Sequence, residues 1–256
     1  MTSETVLITG ASSGLGLAFV KHYASLPSRP NIIALDNQPF PSQIAEQQET
    51  IHFHQLDITS SQKLQDVASN LTSTPITLII HCAGIRGLVP EVVASEKQSS
   101  KVVAAAETLE AMNHTTMMRT LEINTWGTFN TVKSFLPNLQ LAAATAAQAS
   151  SKPRVVILSS RMGSISANTA GGGYAYRASK AALNAVVKSF VIDVPDVQFL
   201  MLHPGRVETR LVEWKEEGAI GVEESVGDCM QVLEKMDKEE WESGRLVDRF
   251  GVRIPW

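Results

Sequence analysis

Seven short apolar, β-branched runs recur along the chain: "TVLITG" (5–10), "NIIALD" (31–36), "IHFHQLD" (51–57), "ITLIIHCAG" (76–84), "RVVILSS" (154–160), "VQFLMLHPG" (197–205) and the weaker "GRLVD" (244–248). Most are continuously apolar instead of alternating, the pattern of strands covered on both faces by helices. Segments of helical length lie between them. In "GLGLAFVKHYASL" (14–26), Leu15, Ala18, Phe19, His22 and Leu26 fall along one helical face. Strand–helix alternation over nearly the whole length predicts an α/β fold, a single doubly wound domain over 1–256 with a mostly parallel seven-stranded sheet between helices. No internal repeat or break in composition divides the 256 residues.

Ligands of doubly wound sheets bind beyond the carboxyl ends of the strands, where strand order reverses. Chemistry-bearing residues do follow the apolar runs here: Gly10, Asp36 and Asp57 after the first three, then Gly84, Ser160 and Pro204–Gly205. "TGASSGLG" (9–16) leaves the first strand and opens the first helix, with Gly10, Gly14 and Gly16 spaced G-x-x-x-G-x-G. Glycines there permit a tight turn and close backbone approach, and a helix N-terminus offers free N–H groups to a pyrophosphate. An ordinary glycine-rich turn has the same composition, so the loop gains meaning from Asp36 at the end of the second run. A carboxylate at that place accepts hydrogen bonds from the adenosine ribose and repels a 2′-phosphate. With the neutral Asn37 beside it, Asp36 favours NAD(H), with NADP(H) as the alternative.

Composition narrows the function classes. Net charge is −4 with no long block of like charge, so nothing argues for nucleic-acid binding. Cys82 and Cys229 form neither a disulfide framework nor a metal pattern, and His81, His114 and His203 have no metal-binding spacing. The N-terminus lacks a basic leader and no apolar run has bilayer length. A soluble cytoplasmic protein with no membrane partner is expected. The alanine-rich "LAAATAAQAS" (141–150) reads as a helix extension.

"GGGYAYRASKAAL" (171–183) holds two tyrosines and one lysine. Tyr176 and Lys180 are four apart and share a helical face. A free tyrosine titrates near pH 10, and a nearby ammonium draws it toward the working range of an acid–base catalyst. Tyr174 has only Ala178 at that offset and is expected to wall the substrate pocket. Taken alone, the segment is equally an amphipathic helix start.

At this point the chain resembles the short-chain dehydrogenase/reductase family over almost its whole length. "TGASSGLG" is similar to that family's T-G-x-x-x-G-x-G loop and "YRASK" to its Y-x-x-x-K motif. "ILSS" resembles the strand that ends in the catalytic serine, "NTWG" (124–127) the N-x-x-G segment, and "HPGRVET" (203–209) the P-G-x-V-x-T segment. "LSSRMGSIS", "YAYRASKAALN" and the ending "IPW" resemble sniffer or C-factor-like carbonyl reductases more narrowly. The resemblance implies an oxidoreductase that interconverts a small carbonyl and an alcohol. Tyr176 would be the general acid or base, Lys180 would hold the nicotinamide ribose, Ser160 would bond the reacting oxygen, and Asn124 would interrupt a helix and hold a relay water. The implied cofactor contacts are Gly10, Ser12, Ser13, Gly14, Leu15, Gly16, Asp36, Asp57, Ile58, Cys82, Ala83, Gly84, Tyr176, Lys180, Pro204, Gly205, Val207 and Thr209. No metal is implied, and a homodimer or homotetramer through the helices around 108–135 and 176–192 is expected.

The chain departs from the family's pattern in three places. "HCAG" (81–84) replaces N-N-A-G, and Cys82 reads as a small buried residue. The stretch from Ser160 to Tyr176 is lengthened by "ISANTAGGG", which leaves Ser164 as a second candidate serine. C-factor-like relatives usually carry an arginine near position 37 and prefer NADP, against the sense of Asp36. Arg86, Arg161 and Arg206 each follow a strand end and are candidates to line the pocket and meet an anionic substrate group, though Arg161 lies in the "SRMG" signature and reads better as structural. Trp214 and its apolar neighbours within 210–225 are equally a candidate lid or part of an amphipathic helix packed on the body. Two other functions share the pattern: dehydration or isomerisation by the same tyrosine, and nucleotide sensing without chemistry.

Overall fold

A computed structural model describes residues 4–45, 49–96, 103–146, 152–212, 217–238 and 241–256. Each of the seven apolar runs forms a strand: β1 Thr5–Thr9, β2 Asn31–Asp36, β3 Ile51–Gln55, β4 Leu78–His81, β5 Arg154–Leu158, β6 Gln198–His203 and β7 Arg245–Asp248. The helices are α1 Gly14–Ala24, α2 Ser42–Ala45, α3 Ser61–Ser69, α4 Pro90–Glu96, α5 His114–Leu121, α6 Gly127–Ala146, α7 Tyr174–Asp193 and α8 Val222–Lys238. The alanine-rich stretch does extend α6, as far as Ala146; the rest of it, like Trp214, lies outside the described residues.

The strands form one sheet in the order β3-β2-β1-β4-β5-β6-β7, and every pairing is parallel. Strand order therefore reverses between β1 and β4, which opens a crevice at their carboxyl ends. Because successive side chains point to opposite faces, each central strand feeds two cores. Leu7, Ile33, Ile79 and Ile157 pack with Leu64 of α3, Phe135 of α6 and Leu183 of α7. Val6, Ile8, Ala34, Ile80 and Val156 pack with Phe19 of α1 and Val232 of α8. Burial on both faces explains why the runs lack alternation. The edge strand β3 is only partly buried, and "IHFHQ" is the one run that alternates apolar with polar.

The buried stripe of α1 is Gly16, Phe19, Val20 and Tyr23; of the expected Leu15, Ala18, Phe19, His22 and Leu26, only Phe19 belongs to it. Its phase is set where Gly16 meets the preceding loop, since a Cβ at Gly16 would lie 2.1 Å from the Gly10 carbonyl oxygen. Only glycine lets the helix approach the strand end so closely. Leu15, Ala18 and Leu26 pack at the margin of the same core. Among the described residues, no helix is long and apolar enough to cross a membrane.

Candidate active site

The crevice at the strand ends holds two adjoining cavities of about 320 Å³ each. The first runs across the carboxyl ends of β1, β2 and β4. At its floor the β1–α1 loop turns through Gly10 and Gly14, both with left-handed φ of 66° and 51°. A Cβ on Gly10 would meet the Ala83 backbone nitrogen at 3.0 Å. The N-cap Ser13 makes no side-chain bond to the helix, and no acid occupies the first turn of α1. The α1 N–H groups and their partial positive charge are thereby left to an anion.

Asp36 closes the far side of this groove. Its carboxylate accepts from the Ser12 amide at 2.8 Å and from the Gln38 amide at 2.9 Å. Both bonds fix the carboxylate at the groove wall, beside the neutral Asn37 and Gln38. Asp57 is held by the Thr59 amide and hydroxyl at 2.9 and 2.8 Å, and Arg119 approaches it at 3.4 Å. Although partial burial opposes it, these bonds and the Arg119 charge keep the Asp57 carboxyl below its ordinary range.

Where the two cavities meet stands Tyr176, 7% exposed. It belongs to the buried stripe of α7, with Ser179, Lys180, Leu183 and Val187 following at helical spacing. Two cations face its ring: the Arg86 guanidinium at 4.9 Å from the centroid and the Lys180 ammonium at 5.7 Å. Lys180 donates to the Leu158 carbonyl at 2.9 Å, and burial pulls its pKa down to about 8. Ser160 follows β5, accepts from the Met162 amide at 3.1 Å, and lines the second cavity with Tyr176. Ser164 is buried outside both cavity walls, its hydroxyl accepting from the Ala167 amide at 3.0 Å.

Asn124 sits in a π-helical turn, Glu122–Trp126, wedged between α5 and α6. Its side chain accepts from the Ile85 amide and donates to the Ile85 carbonyl, both at 2.8 Å, and donates to the Ser179 hydroxyl at 3.0 Å. The helix interruption thus ties the loop after β4 to the Tyr176 helix.

A buried relay behind this point had no signal in the sequence. Thr128 donates its only hydroxyl hydrogen to the Asn124 carbonyl at 2.8 Å, so its contact with His81 Nε2 at 3.0 Å must be one it accepts. His81 Nδ1 is then free to accept the Thr9 hydroxyl at 3.1 Å, while the Thr9 oxygen accepts from the Cys82 and Ala83 amides, each at 3.1 Å. Every hydrogen is accounted for with a neutral imidazole. Burial, with a smaller contribution from the Lys180 charge, drives His81 down to about 3. His81 therefore joins the end of β1 to the start of α6. Cys82 is partly buried, and its surroundings push the thiol well above its ordinary range, consistent with the inert reading.

The sequence model of the short chain dehydrogenase family matches residues 4–219, most of the chain. The chain belongs to this family. The C-signal protein of Myxococcus xanthus is 32% identical over 191 residues, covering 74% of this chain and 98% of that protein. The carbonyl reductase Sniffer of D. melanogaster superposes with a TM-score of 0.83 at 27% identity, over 99% of this chain and 100% of that one. An NADPH-bound carbonyl reductase from chicken fatty liver superposes with a TM-score of 0.82 at 26% identity, over the full length of both. The protein is thus an oxidoreductase of the short-chain type, with sniffer and C-factor-like relatives.

Most residues expected from the family pattern do meet in the crevice. Gly10, Ser13, Gly14, Leu15, Gly16, Asp36, Asp57, Ile58, Cys82, Ala83, Gly84 and Lys180 line the first cavity. Ser160, Gly205 and Val207 line the second, and Tyr176, Pro204 and Thr209 border both. Ser12 and Asn124 lie behind the walls, acting through Asp36 and through Ile85 and Ser179. Tyr174 lies elsewhere than expected: it is 38% exposed and lines neither cavity. Two residues back from Tyr176 is roughly 200° around the helix, so one tyrosine faces in and the other out. Arg86, Arg161 and Arg206 all reach the second cavity, and Arg177, which sequence reasoning passed over, joins them.

Proposed function

We propose that the protein interconverts a ketone or aldehyde with its alcohol by hydride exchange with a nicotinamide dinucleotide, with Tyr176 as general acid and base. The observation that carries this reading is the place of Tyr176, at the border of a dinucleotide-shaped groove and a second cavity that also holds Ser160. The glycine cradle, the uncapped α1 terminus and the fixed Asp36 carboxylate fit a dinucleotide, which when bound supplies the hydride. Tyr176 then donates a proton to the carbonyl oxygen as it gains charge, and Ser160 donates a hydrogen bond to the same oxygen. Lys180 and Arg86, close to the ring, favour the phenolate left behind. Asn124 holds Ile85 and Ser179 in place and so positions both the loop and α7.

NAD(H) is supported by the Asp36 carboxylate and by the absence of lysine or arginine at its neighbours Asn37 and Gln38. NADP(H) is supported by the chicken carbonyl reductase, a relative that is NADPH-bound. We take the charge of this chain's own groove as the stronger guide. A homodimer or homotetramer is supported by the exposed Met118, Trp126 and Ile192 on the helices expected to pair. The test is a titration of NADH against NADPH, then turnover on a carbonyl panel with product analysis. Reduced product with oxidised cofactor supports the reading, whereas dehydrated or isomerised product with unchanged cofactor refutes it.

A further inference from the structure

The second cavity has a charge that the chain as a whole does not. The sequence has 26 acidic and 22 basic residues. Yet among the described residues the cavity wall carries Arg86, Arg161, Arg177 and Arg206 and not one aspartate or glutamate. Two of these charges are met from outside the cavity. Arg86 makes a two-pronged pair with Glu107, both contacts at 2.8 Å, and Arg161 lies 3.7 Å from Asp248. Among the described residues, the other two meet only carbonyl dipoles. Arg177 donates to the Gly172 and Gly171 carbonyls at 3.0 and 3.2 Å, and Arg206 donates to the Glu217 carbonyl at 2.8 Å.

A guanidinium has five N–H donors, so most of the hydrogen-bonding capacity of Arg177 and Arg206 remains for a ligand. A concave wall of one sign concentrates its field on whatever enters. His203 also borders this cavity, and its Nδ1 is buried without a hydrogen-bond partner among the described residues.

Resting on the assignment of Tyr176 and Ser160 above, we infer that the carbonyl substrate carries an anionic group, a carboxylate or a phosphate, held by Arg177 and Arg206 while Tyr176 and Ser160 meet the reacting oxygen. Arg177 is next to Tyr176 in the chain and Arg206 follows Pro204–Gly205, so the anion sits within one small molecule's reach of the reacting carbon. The cavity volume is at the small end of ligand sites, which limits the substrate to a few carbons beyond these two groups.

Matched pairs test this: 4-oxopentanoate against its methyl ester, and dihydroxyacetone phosphate against dihydroxyacetone. The charged member of at least one pair is expected to have a kcat/KM about tenfold higher or more, and the pair that responds tells carboxylate from phosphate. Arg206→Gln and Arg177→Gln should each cut that ratio by about tenfold, the loss of one charge-assisted bond. Arg245→Gln, far from the cavity, should not change it. Raising the salt should shrink the ratio as well. A ratio of one or below in both pairs, or a ratio that the two arginine variants leave unchanged, overturns the inference. Calorimetric titration of glutarate, inorganic phosphate and dimethyl glutarate into the cofactor-saturated protein needs no turnover. If no carbonyl is reduced, the oxidoreductase reading fails on its own, and the anion inference still stands or falls on whether Arg206→Gln weakens glutarate or phosphate binding.

Discussion

Replacing His81 with asparagine, the residue usual in the family's N-N-A-G segment, tests whether the relay behind Asn124 is held by a neutral, buried imidazole. In the folded protein His81 stays unprotonated down to about pH 3, against an ordinary value of 6.5. A group with a depressed folded pKa contributes stability that is present above its unfolded value and lost as pH falls toward the folded one. Between pH 7 and pH 5 the unfolded imidazole goes from about one quarter protonated to nearly fully so, and the folded one takes up almost nothing. The linkage relation then gives a loss of about 2 kcal/mol from this residue alone. That figure depends on the unfolded value and scarcely on how far below pH 4 the folded one lies. His203, lowered to about 4 chiefly by burial, adds a loss of comparable size in both proteins and cancels from the comparison. The assay is urea unfolding of wild type and His81→Asn at pH 7 and pH 5. The variant should be the less stable at pH 7, since the bonds at 3.0 and 3.1 Å to Thr128 and Thr9 are re-formed imperfectly by the shorter amide. Its acid-induced loss should nevertheless be smaller than that of wild type by about 2 kcal/mol. An equal acid loss in the two proteins would refute the neutral relay.

Three further outcomes follow from the site geometry. Gly16→Ala places a methyl group 2.1 Å from the Gly10 carbonyl, and should weaken dinucleotide binding at least about tenfold in a fluorescence titration as the loop is pushed out of register. The double change Asp36→Ala with Asn37→Arg removes the repulsion of a 2′-phosphate and adds a partner for it; the NADPH-to-NADH ratio of kcat/KM should rise by about 100-fold. Ser160→Ala should lower kcat by about 100-fold or more in steady-state assays, whereas Ser164→Ala should act through stability, because it leaves the Ala167 amide without its acceptor.

The strands were legible because a doubly wound sheet buries both faces of its inner strands, and only continuous apolar runs meet that demand. The phase of α1 was not. "GLGLAFV" is apolar or small all round, so no polar face marks the solvent side, and the phase is fixed by the contact of Gly16 with Gly10. The position of the glycine loop and the shared face of Tyr176 and Lys180 were legible since they depend on strand ends and on one helical turn. Which of Ser160 and Ser164 reaches the cavity depends on the loop, which the sequence showed only as extra length. Three consecutive left-handed glycines, Gly171 to Gly173, absorb that length and are pinned through Arg177 and the Glu107 carbonyl, leaving Ser160 at the cavity. The His81 relay joins positions 47 to 73 residues apart and has no periodic trace.

The most direct test of the account is turnover by Tyr176→Phe, which removes one hydroxyl and leaves the ring beside Arg86 and Lys180. The full chain, saturated with its preferred reduced cofactor and a reducible carbonyl, is followed at the nicotinamide absorbance, and cofactor affinity is measured in parallel. The account predicts cofactor binding within about threefold of wild type and a kcat lowered by about 100- to 10,000-fold, the usual worth of a positioned proton donor. Turnover within tenfold of wild type would contradict it.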